Sequence, residues 1–64
     1  MVKINGELLE KGGKTVTEML ADMNSSGQRV AVELNEEIVP KAKYDETVLK
    51  DGDHVEVARF VGGG

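Results

Sequence analysis

The sequence lacks the residue types that many enzymes and metal proteins use at their centres. It contains no cysteine and one histidine, His54, among 64 residues. Without cysteine the chain has no disulfide, no thiolate metal site and no cysteine nucleophile. A single histidine cannot form a histidine metal cluster, nor a Ser-His-Asp triad by itself. These absences predict that the chain has no catalytic centre or metal site of its own and is not an enzyme.

Basic residues and long apolar runs are also scarce. Eight lysines and arginines stand against twelve acidic residues, which gives a formal net charge of -4, and they form no basic run. Such a chain repels phosphate backbones, which argues against nucleic acid as a partner. No apolar run approaches the roughly 20 residues that span a bilayer, and the first residues lack the pattern of a signal peptide. We therefore expect no membrane partner and a cytoplasmic location.

The remaining composition is that of a small globular domain. Hydrophobic residues make up 39% of the chain and charged residues 31%, which is too apolar for a disordered segment. A domain of this length buries only about 60% of the surface that its unfolded chain exposes. Apart from the terminal glycines, the sequence shows no repeat or linker. We predict one domain over residues 1–61 and a flexible glycine tail over residues 62–64.

Alternation and a turn dipeptide predict the first two strands. Apolar and polar residues alternate over positions 2–4, and Asn5-Gly6 is the dipeptide that best tolerates the positive φ angles of a two-residue type I′ turn. Residues 7–11 should then return antiparallel, with Leu8 opposite Lys3. This register directs Leu9 to the face of Val2 and Ile4, and Leu8 to the other face.

The next segment predicts an amphipathic helix. Thr15 and Glu18 have the spacing of a capping box, which places the start of the helix at Val16. Apolar residues at i, i+3, i+4 and i+7 then form one stripe, which consists of Val16, Met19, Leu20 and Met23. The methionines are interpreted as core residues rather than ligands. The polar residues and glycine of segment 24–27 should end the helix.

The rest of the chain predicts three more strands. Residues 30–34 alternate, a turn over 35–37 leads into the short run Ile38-Val39, and Pro40 ends this run because proline has no N–H for the ladder. Residues 41–47 are polar, with one helical turn expected near 43–46. Asp51-Gly52-Asp53 predicts a tight turn before a final strand from His54 to Val61. This order indicates an α+β fold in which one helix covers one face of a mixed sheet.

Alternation along the final strand places Ala58 and Phe60 on the face opposite its inward valines. Together with Leu8 and Ala31, these residues are expected to form an apolar docking patch on the sheet face opposite the helix. The alternative is that Phe60 curls over the sheet edge into the core. For Arg59 we consider an ion pair with an acidic residue, a role in steering docking, or simple solvation.

The chain ends in Gly62-Gly63-Gly64, which has two interpretations. Glycine backbone is narrow and adopts dihedral angles closed to other residues, so an extended tail could thread a channel in another protein. Extended residues 61–64 would carry the terminal carboxylate at most about 14 Å beyond the folded body. Alternatively, the triplet is a frayed end or an expression remnant.

The order and spacing of several motifs resemble those of the ThiS family of sulfur carriers, within the ubiquitin-like β-grasp group that also contains MoaD. The resemblance covers nearly the whole chain. Its components are the hairpin 4–6, the helix start Thr15-Val16, residues 32–40, the turn 51–53 with Val55-Glu56, and the terminal Gly63-Gly64. Lys41 and Gly62 stand where arginine and alanine are common in the family. The resemblance implies a five-stranded sheet whose last strand is central and parallel to the first, with the helix across one face.

The resemblance also implies a function. A ThiF-like enzyme would adenylate the Gly64 carboxylate with ATP and magnesium, with Gly62 and Gly63 threading the tail into its active site. Sulfur from a cysteine persulfide, on a donor such as a cysteine desulfurase or a rhodanese-type protein, would then displace AMP. The resulting thiocarboxylate would donate sulfur to a ThiG-like thiazole synthase in thiamin biosynthesis. The chain would bind no cofactor and would act as a protein cosubstrate.

Other functions remain open at this point. The same chemistry in a MoaD-like carrier would deliver sulfur to molybdopterin or to another pathway. A noncovalent ubiquitin-like interaction module would use the folded domain and leave the tail incidental. A protein modifier would instead be conjugated to lysines through the same terminal glycine.

Overall fold

A mixed five-stranded sheet carries one helix across one of its faces. The structure, a computed structural model, describes residues 1–25 and 29–60. In chain order its elements are β1 (Val2–Ile4), β2 (Glu7–Leu9), α1 (Val16–Asp22), β3 (Val30–Leu34), β4 (Glu37–Val39), a 3₁₀ turn (Lys41–Lys43) and β5 (His54–Arg59). The strands lie in the order β2-β1-β5-β3-β4, and β5 is parallel to β1 and antiparallel to β3. The predicted fold class, with a central last strand, is confirmed.

The first hairpin has the predicted turn and register. Asn5 and Gly6 adopt φ angles of 51° and 86°, as a type I′ turn requires. Lys3 pairs with Leu8, and the neighbouring pairs are Val2 with Leu9 and Ile4 with Glu7. Leu9 therefore packs against the core, whereas the side chain of Leu8 is 62% exposed.

The helix begins where its capping box predicts. The Thr15 hydroxyl accepts from the Glu18 N–H at 3.1 Å, and the Glu18 carboxylate accepts from the Thr15 N–H at 2.9 Å. The predicted stripe faces the sheet, with Met23 at the C-cap and only partly buried. Two further backbone bonds, from Val16 to Thr47 and from Thr17 to Tyr44, hold the first turn against the segment that precedes β5.

The second hairpin turns on two residues rather than three. Asn35 and Glu36 have φ angles of 51° and 70°, and β4 already begins at Glu37, which pairs with Leu34. The prediction of a three-residue turn is therefore wrong by one residue. Glutamate is uncommon at positive φ, so Asn35-Glu36 does not have the Asn-Gly pattern that predicts a type I′ turn.

The segment between Pro40 and β5 has two features that were not predicted. A 3₁₀ turn over Lys41–Lys43 precedes the predicted turn, because Pro40 has a φ of -63° and its carbonyl accepts from the Lys43 N–H at 2.8 Å; proline's fixed φ suits the start of a helical turn. The turn predicted near 43–46 is present, since the Lys43 carbonyl accepts from the Glu46 and Thr47 N–H groups at 3.2 and 3.0 Å. In addition, Leu49 is only 1% exposed and belongs to the core. It follows Val48, and two adjacent apolar residues are too short a run for periodicity to show which of them is buried.

The last strand begins after the predicted turn, in which Gly52 has a φ of 91° and the Asp53 carboxylate accepts from the Lys50 N–H. The strand ends at Arg59, so the predicted extension through Phe60 is wrong; Val61 lies outside the described residues. The core lies between the helix and the inward face of the sheet and consists of Val2, Ile4, Val16, Met19, Leu20, Val32, Val39, Leu49 and Val55.

Candidate functional site

The end of β5 leads to the C-terminal residues. Phe60 is the last described residue, and its N–H donates to the carbonyl of Arg29 at 3.0 Å, which extends the pairing of β5 with β3. Gly62, Gly63 and Gly64, which carry the predicted chemistry, lie outside the described residues, as does the predicted domain boundary after residue 61. The structure therefore places Phe60, the last described residue, at the end of the central strand.

The two neighbours of β5 hold it over different lengths. On the β1 side, the pairing ends at the side chain of Asn5, whose Oδ1 accepts from the Val57 N–H at 2.7 Å and whose Nδ2 donates to the Val57 carbonyl at 3.3 Å. On the other side, β3 pairs with β5 as far as Arg59. Within the described residues, the end of β5 thus extends past the first hairpin and is held by β3.

Three of the predicted docking residues lie together. Ala31 and Ala58 are direct cross-strand partners, and Phe60 follows two residues later on the same face. The side chain of Phe60 is 62% exposed. Of the two placements considered for Phe60, the exposed one is found, and packing into the core is not.

Leu8 faces the same side but lies apart from these three residues. It pairs with Lys3, which is level with His54 at the start of β5. Ala58 is four residues further along β5, about 13 Å at roughly 3.3 Å per residue, and two strand spacings of about 4.8 Å lie between β2 and β5. The prediction of one patch that includes Leu8 is therefore wrong, although the predicted face is right.

Arg59 lies on the opposite face of the sheet from Phe60. Its Nη2 donates to the carbonyl of Met23 at 2.9 Å, at the C-cap of α1. The guanidinium thereby satisfies a terminal carbonyl and places positive charge at the negative end of the helix. None of the three roles considered for Arg59 included this one, because the two residues are 36 positions apart in sequence.

Other exposed groups on the outer face, the sheet face opposite the helix, were not predicted as site residues. Ile38 on β4 is 69% exposed. It pairs with Glu33 on β3, which in turn pairs with Glu56 on β5. A shallow groove crosses these strands and is lined by Ala31, Glu33, Glu36, Ile38, Glu56, Val57 and Ala58. The sequence predicted the strands but not how β3 and β5 align, so it did not predict this grouping.

The described residues show no metal centre and one notable ionic cluster. Across 1–25 and 29–60, no group of three or more His, Asp or Glu side chains has a metal-binding arrangement. Asp22 Oδ2 accepts from Lys14 Nζ at 2.8 Å and from Lys11 Nζ at 3.0 Å. The hydrogen bond from Lys14, followed by that from Lys11, lowers the pKa of the Asp22 carboxyl, and the same bond raises the pKa of Lys14. This exposed cluster joins the segment after β2 to the end of α1.

No helix in the described part of the chain is long and apolar enough to cross a membrane.

The strand order and the single crossing helix define the class of protein. A five-stranded mixed sheet with its C-terminal strand in the centre and parallel to the first is a β-grasp domain. A crystal structure of the thiamine biosynthesis protein ThiS from Geobacter metallireducens superposes with a TM-score of 0.77 at 36% sequence identity. That match covers 98% of this chain and 97% of the other.

Sequence comparisons identify the family. The model of the ThiS family matches residues 2–64. The sulfur carrier protein ThiS of Thermus thermophilus is 42% identical over 64 residues, which cover 100% of both chains. A thiazole synthase of Paramagnetospirillum magneticum is 42% identical over 62 residues, which cover 95% of this chain and 19% of that protein; here the chain spans about a fifth of its relative. The chain belongs to the ThiS family.

Proposed function

We propose that this chain is a sulfur carrier of thiamin biosynthesis whose reactive group is the backbone carboxylate of Gly64. The observation that carries this proposal is the match of the ThiS family model over residues 2–64, which includes the whole domain and the terminal glycines. The central position of β5 supports it, because the strand that leads to Gly64 is held by neighbours on both sides.

The proposed reaction begins with activation of the carboxylate. A free carboxylate is a poor acceptor of nucleophiles, so it first attacks the α-phosphate of ATP and pyrophosphate leaves, which forms an acyl adenylate. A persulfide sulfur then attacks the carbonyl carbon, and AMP leaves with the electron pair. A thiol cleaves the S–S bond of the resulting acyl disulfide, and the thiocarboxylate remains on Gly64. Activation of this kind requires groups that the described residues do not supply, so they belong to the partner.

The proposed partners follow from the steps of this cycle. A ThiF-like enzyme uses ATP and magnesium to adenylate Gly64, and a cysteine desulfurase or a rhodanese-type protein supplies the sulfur in the cytoplasm. A ThiG-like thiazole synthase receives it. This last partner is supported by the Paramagnetospirillum thiazole synthase, in which a ThiS-like segment is part of the same chain. Gly62 and Gly63 are proposed to thread the narrow entrance to each active site.

Sulfur loading can be measured by intact-mass spectrometry. The protein is incubated with the adenylating enzyme, ATP, magnesium and a persulfide donor, and we expect exchange of one oxygen for sulfur at Gly64. An unchanged mass with every cognate enzyme would support the noncovalent module instead, and adducts on other proteins would support the modifier.

A truncation tests the position of the reactive group. Removal of Gly64 should abolish loading and leave the circular dichroism spectrum unchanged, because the core residues all precede Phe60. Loading that survives this truncation would exclude the tail mechanism.

A further inference from the structure

The last residue of β5 is held differently from the rest of the strand. Successive residues of a strand direct their N–H and C=O groups to opposite sides. The Phe60 N–H bonds the carbonyl of Arg29 on the β3 side, whereas Val57 directs both of its backbone groups to Asn5 on the β1 side. The backbone groups of Arg59, two residues after Val57, therefore also face the β1 side, but at a level beyond Asn5.

A side-chain bond connects this last residue to the helix. Arg59 Nη2 donates to the carbonyl of Met23 at 2.9 Å, and Met23 is the C-cap of α1. The bond joins residues 36 positions apart in sequence. Within the described residues, the end of β5 is thus held by β3 along one edge and by the end of α1 from the helix side of the sheet.

The acceptor of this bond has a fixed direction. Asn24 has a φ of 58°, its N–H donates to the carbonyl of Ala21 at 3.1 Å, and the Ser25 N–H donates to the carbonyl of Leu20 at 2.8 Å. These two bonds form a Schellman motif. The hydroxyl of Ser25, a buried residue, also donates to the Met23 carbonyl, at 3.4 Å. The bond from β5 therefore ends on a carbonyl that belongs to a capped segment.

We propose that Arg59 is a positioning residue of the carrier, which ties the end of β5 to the C-cap of α1 and thereby fixes the direction in which the chain leaves the sheet toward Gly64. This inference rests on the proposed function, which assigns the reaction to Gly64. In this role Arg59 acts on the strand rather than on the reacting atoms. Residues 61–64 can reach at most about 14 Å beyond Phe60, so the direction of the strand's end determines which space the carboxylate can enter.

A fixed strand end lowers the cost of binding the carboxylate. An enzyme that accepts Gly64 needs the preceding chain in one conformation, and each residue that must be ordered at that moment weakens binding. The bond of Arg59 orders the end of β5 in advance. Because every enzyme that binds Gly64 uses the same strand end, adenylation and sulfur delivery should both benefit. A direct contact of Arg59 with one enzyme would benefit that enzyme alone.

Arg59→Met tests this bond in the free carrier, without any enzyme. Methionine keeps an unbranched side chain and removes the donor and the charge. From ¹⁵N relaxation, we expect the order parameter of the Phe60 amide to fall from about 0.85 to about 0.6. The value for Val57 should not change, because Asn5 still holds it. Arg59→Lys keeps a donor and a charge and should restore most of the order. An unchanged order parameter of Phe60 in Arg59→Met would overturn the proposal.

The same variant tests the effect on the reaction. We expect the KM of Arg59→Met in adenylation to rise about five- to tenfold, the equivalent of ordering about one backbone residue, while kcat is unchanged. The KM in sulfur delivery to the thiazole synthase should rise by a similar factor, and Arg59→Lys should stay within about threefold of the wild type. A tenfold rise through unfolding would require about 90% of the carrier to be unfolded, which circular dichroism at the assay temperature would detect.

The matched control is Arg29→Met, which removes the same charge beside the end of β5 and keeps the backbone carbonyl that accepts from Phe60. We expect its KM and its Phe60 order parameter to stay close to those of the wild type. An equal rise of KM in both variants would reduce the effect to charge and overturn the proposal. So would a rise with one of the two enzymes only, since it would indicate a direct contact. If the wild-type carrier is not adenylated, the proposed function fails, and the order parameter of Phe60 still decides whether Arg59 fixes the end of the strand.

Discussion

The two hairpins of this domain use the same type of two-residue turn, and the turns differ at one residue. Each joins two short strands through a two-residue turn, and each turn begins with an asparagine whose φ is 51°. The second turn residue is Gly6 in the first hairpin, with a φ of 86°, and Glu36 in the second, with a φ of 70°. One hairpin thus follows the rule for type I′ turns, and the other departs from it.

Both asparagines also hold the central strand, from opposite sides. Asn5 bonds the N–H and carbonyl of Val57 in the middle of β5. Asn35 Oδ1 accepts from the His54 N–H at 2.9 Å at the start of the strand, and its Nδ2 donates to the Asp53 carboxylate. The strand that leads to the C-terminal residues is therefore positioned by two turns as well as by its ladders.

The difference between the hairpins indicates where the sequence serves something other than folding. Sequences usually satisfy local and global preferences together, and departures concentrate at functional sites. The first hairpin has glycine where the turn favours it. The second has a glutamate there, and that glutamate lines the shallow groove on the outer face.

Truncation of the two asparagines should give the largest effect and should separate their roles. Asn5→Ala removes both bonds to Val57 and leaves a non-glycine residue without its local support at positive φ, so we expect a loss of about 2 to 3 kcal/mol of unfolding free energy. Asn35→Ala loses the same support at positive φ but leaves only one backbone group without its partner, the His54 N–H, so we expect a smaller loss of about 1 to 2 kcal/mol. Urea unfolding followed by circular dichroism measures both. A larger loss for Asn35→Ala would contradict the dominant role of Asn5.

Exchange of the turn residue in the first hairpin should have the next largest effect. Gly6→Glu gives both hairpins the same turn sequence and should destabilise the domain by about 1 to 2 kcal/mol, the cost of left-handed backbone for a residue with a Cβ. A Cβ at Gly6 would have no neighbour within 4 Å, so sterics should not add to this cost. Gly6→Asn is the matched control and should lose less, because asparagine tolerates this conformation. Unfolding midpoints that do not change in either variant would show that the turn is relaxed.

The first hairpin and the helix were predictable because their signals are local. Asn5-Gly6 fixes both the turn and the register, and Thr15 with Glu18 fixes the start of α1 within one turn of chain. Leu49 was not predicted as a core residue, because the isolated pair Val48-Leu49 is too short to show a periodicity. The bonds of Asn5 to Val57 and of Arg59 to Met23 join residues 52 and 36 positions apart, and no local pattern encodes them.

The outer face was predicted only in part, because alternation is a local signal and the alignment of distant strands is not. Alternation assigns Ala58 and Phe60 to a face, since the period of a strand is two residues. It does not determine how far one strand is shifted along another when no tight turn joins them. The separation of Leu8 from Ala58, and the opposition of Glu33 and Glu56, both depend on pairings of β5 with strands distant in sequence.

The reverse exchange in the second hairpin should have the smallest effect, and its sign should be opposite. Glu36→Gly relieves the positive φ but adds flexibility to the unfolded chain, so we expect a net gain of about 0.5 kcal/mol of unfolding free energy. Glu36→Gln is the matched control, because it removes the charge and keeps the backbone cost. If the glutamine variant gains as much as the glycine variant, the second hairpin differs from the first in charge rather than in conformation. If only the glycine variant gains, the second hairpin differs from the first in backbone conformation, as the φ of Glu36 indicates.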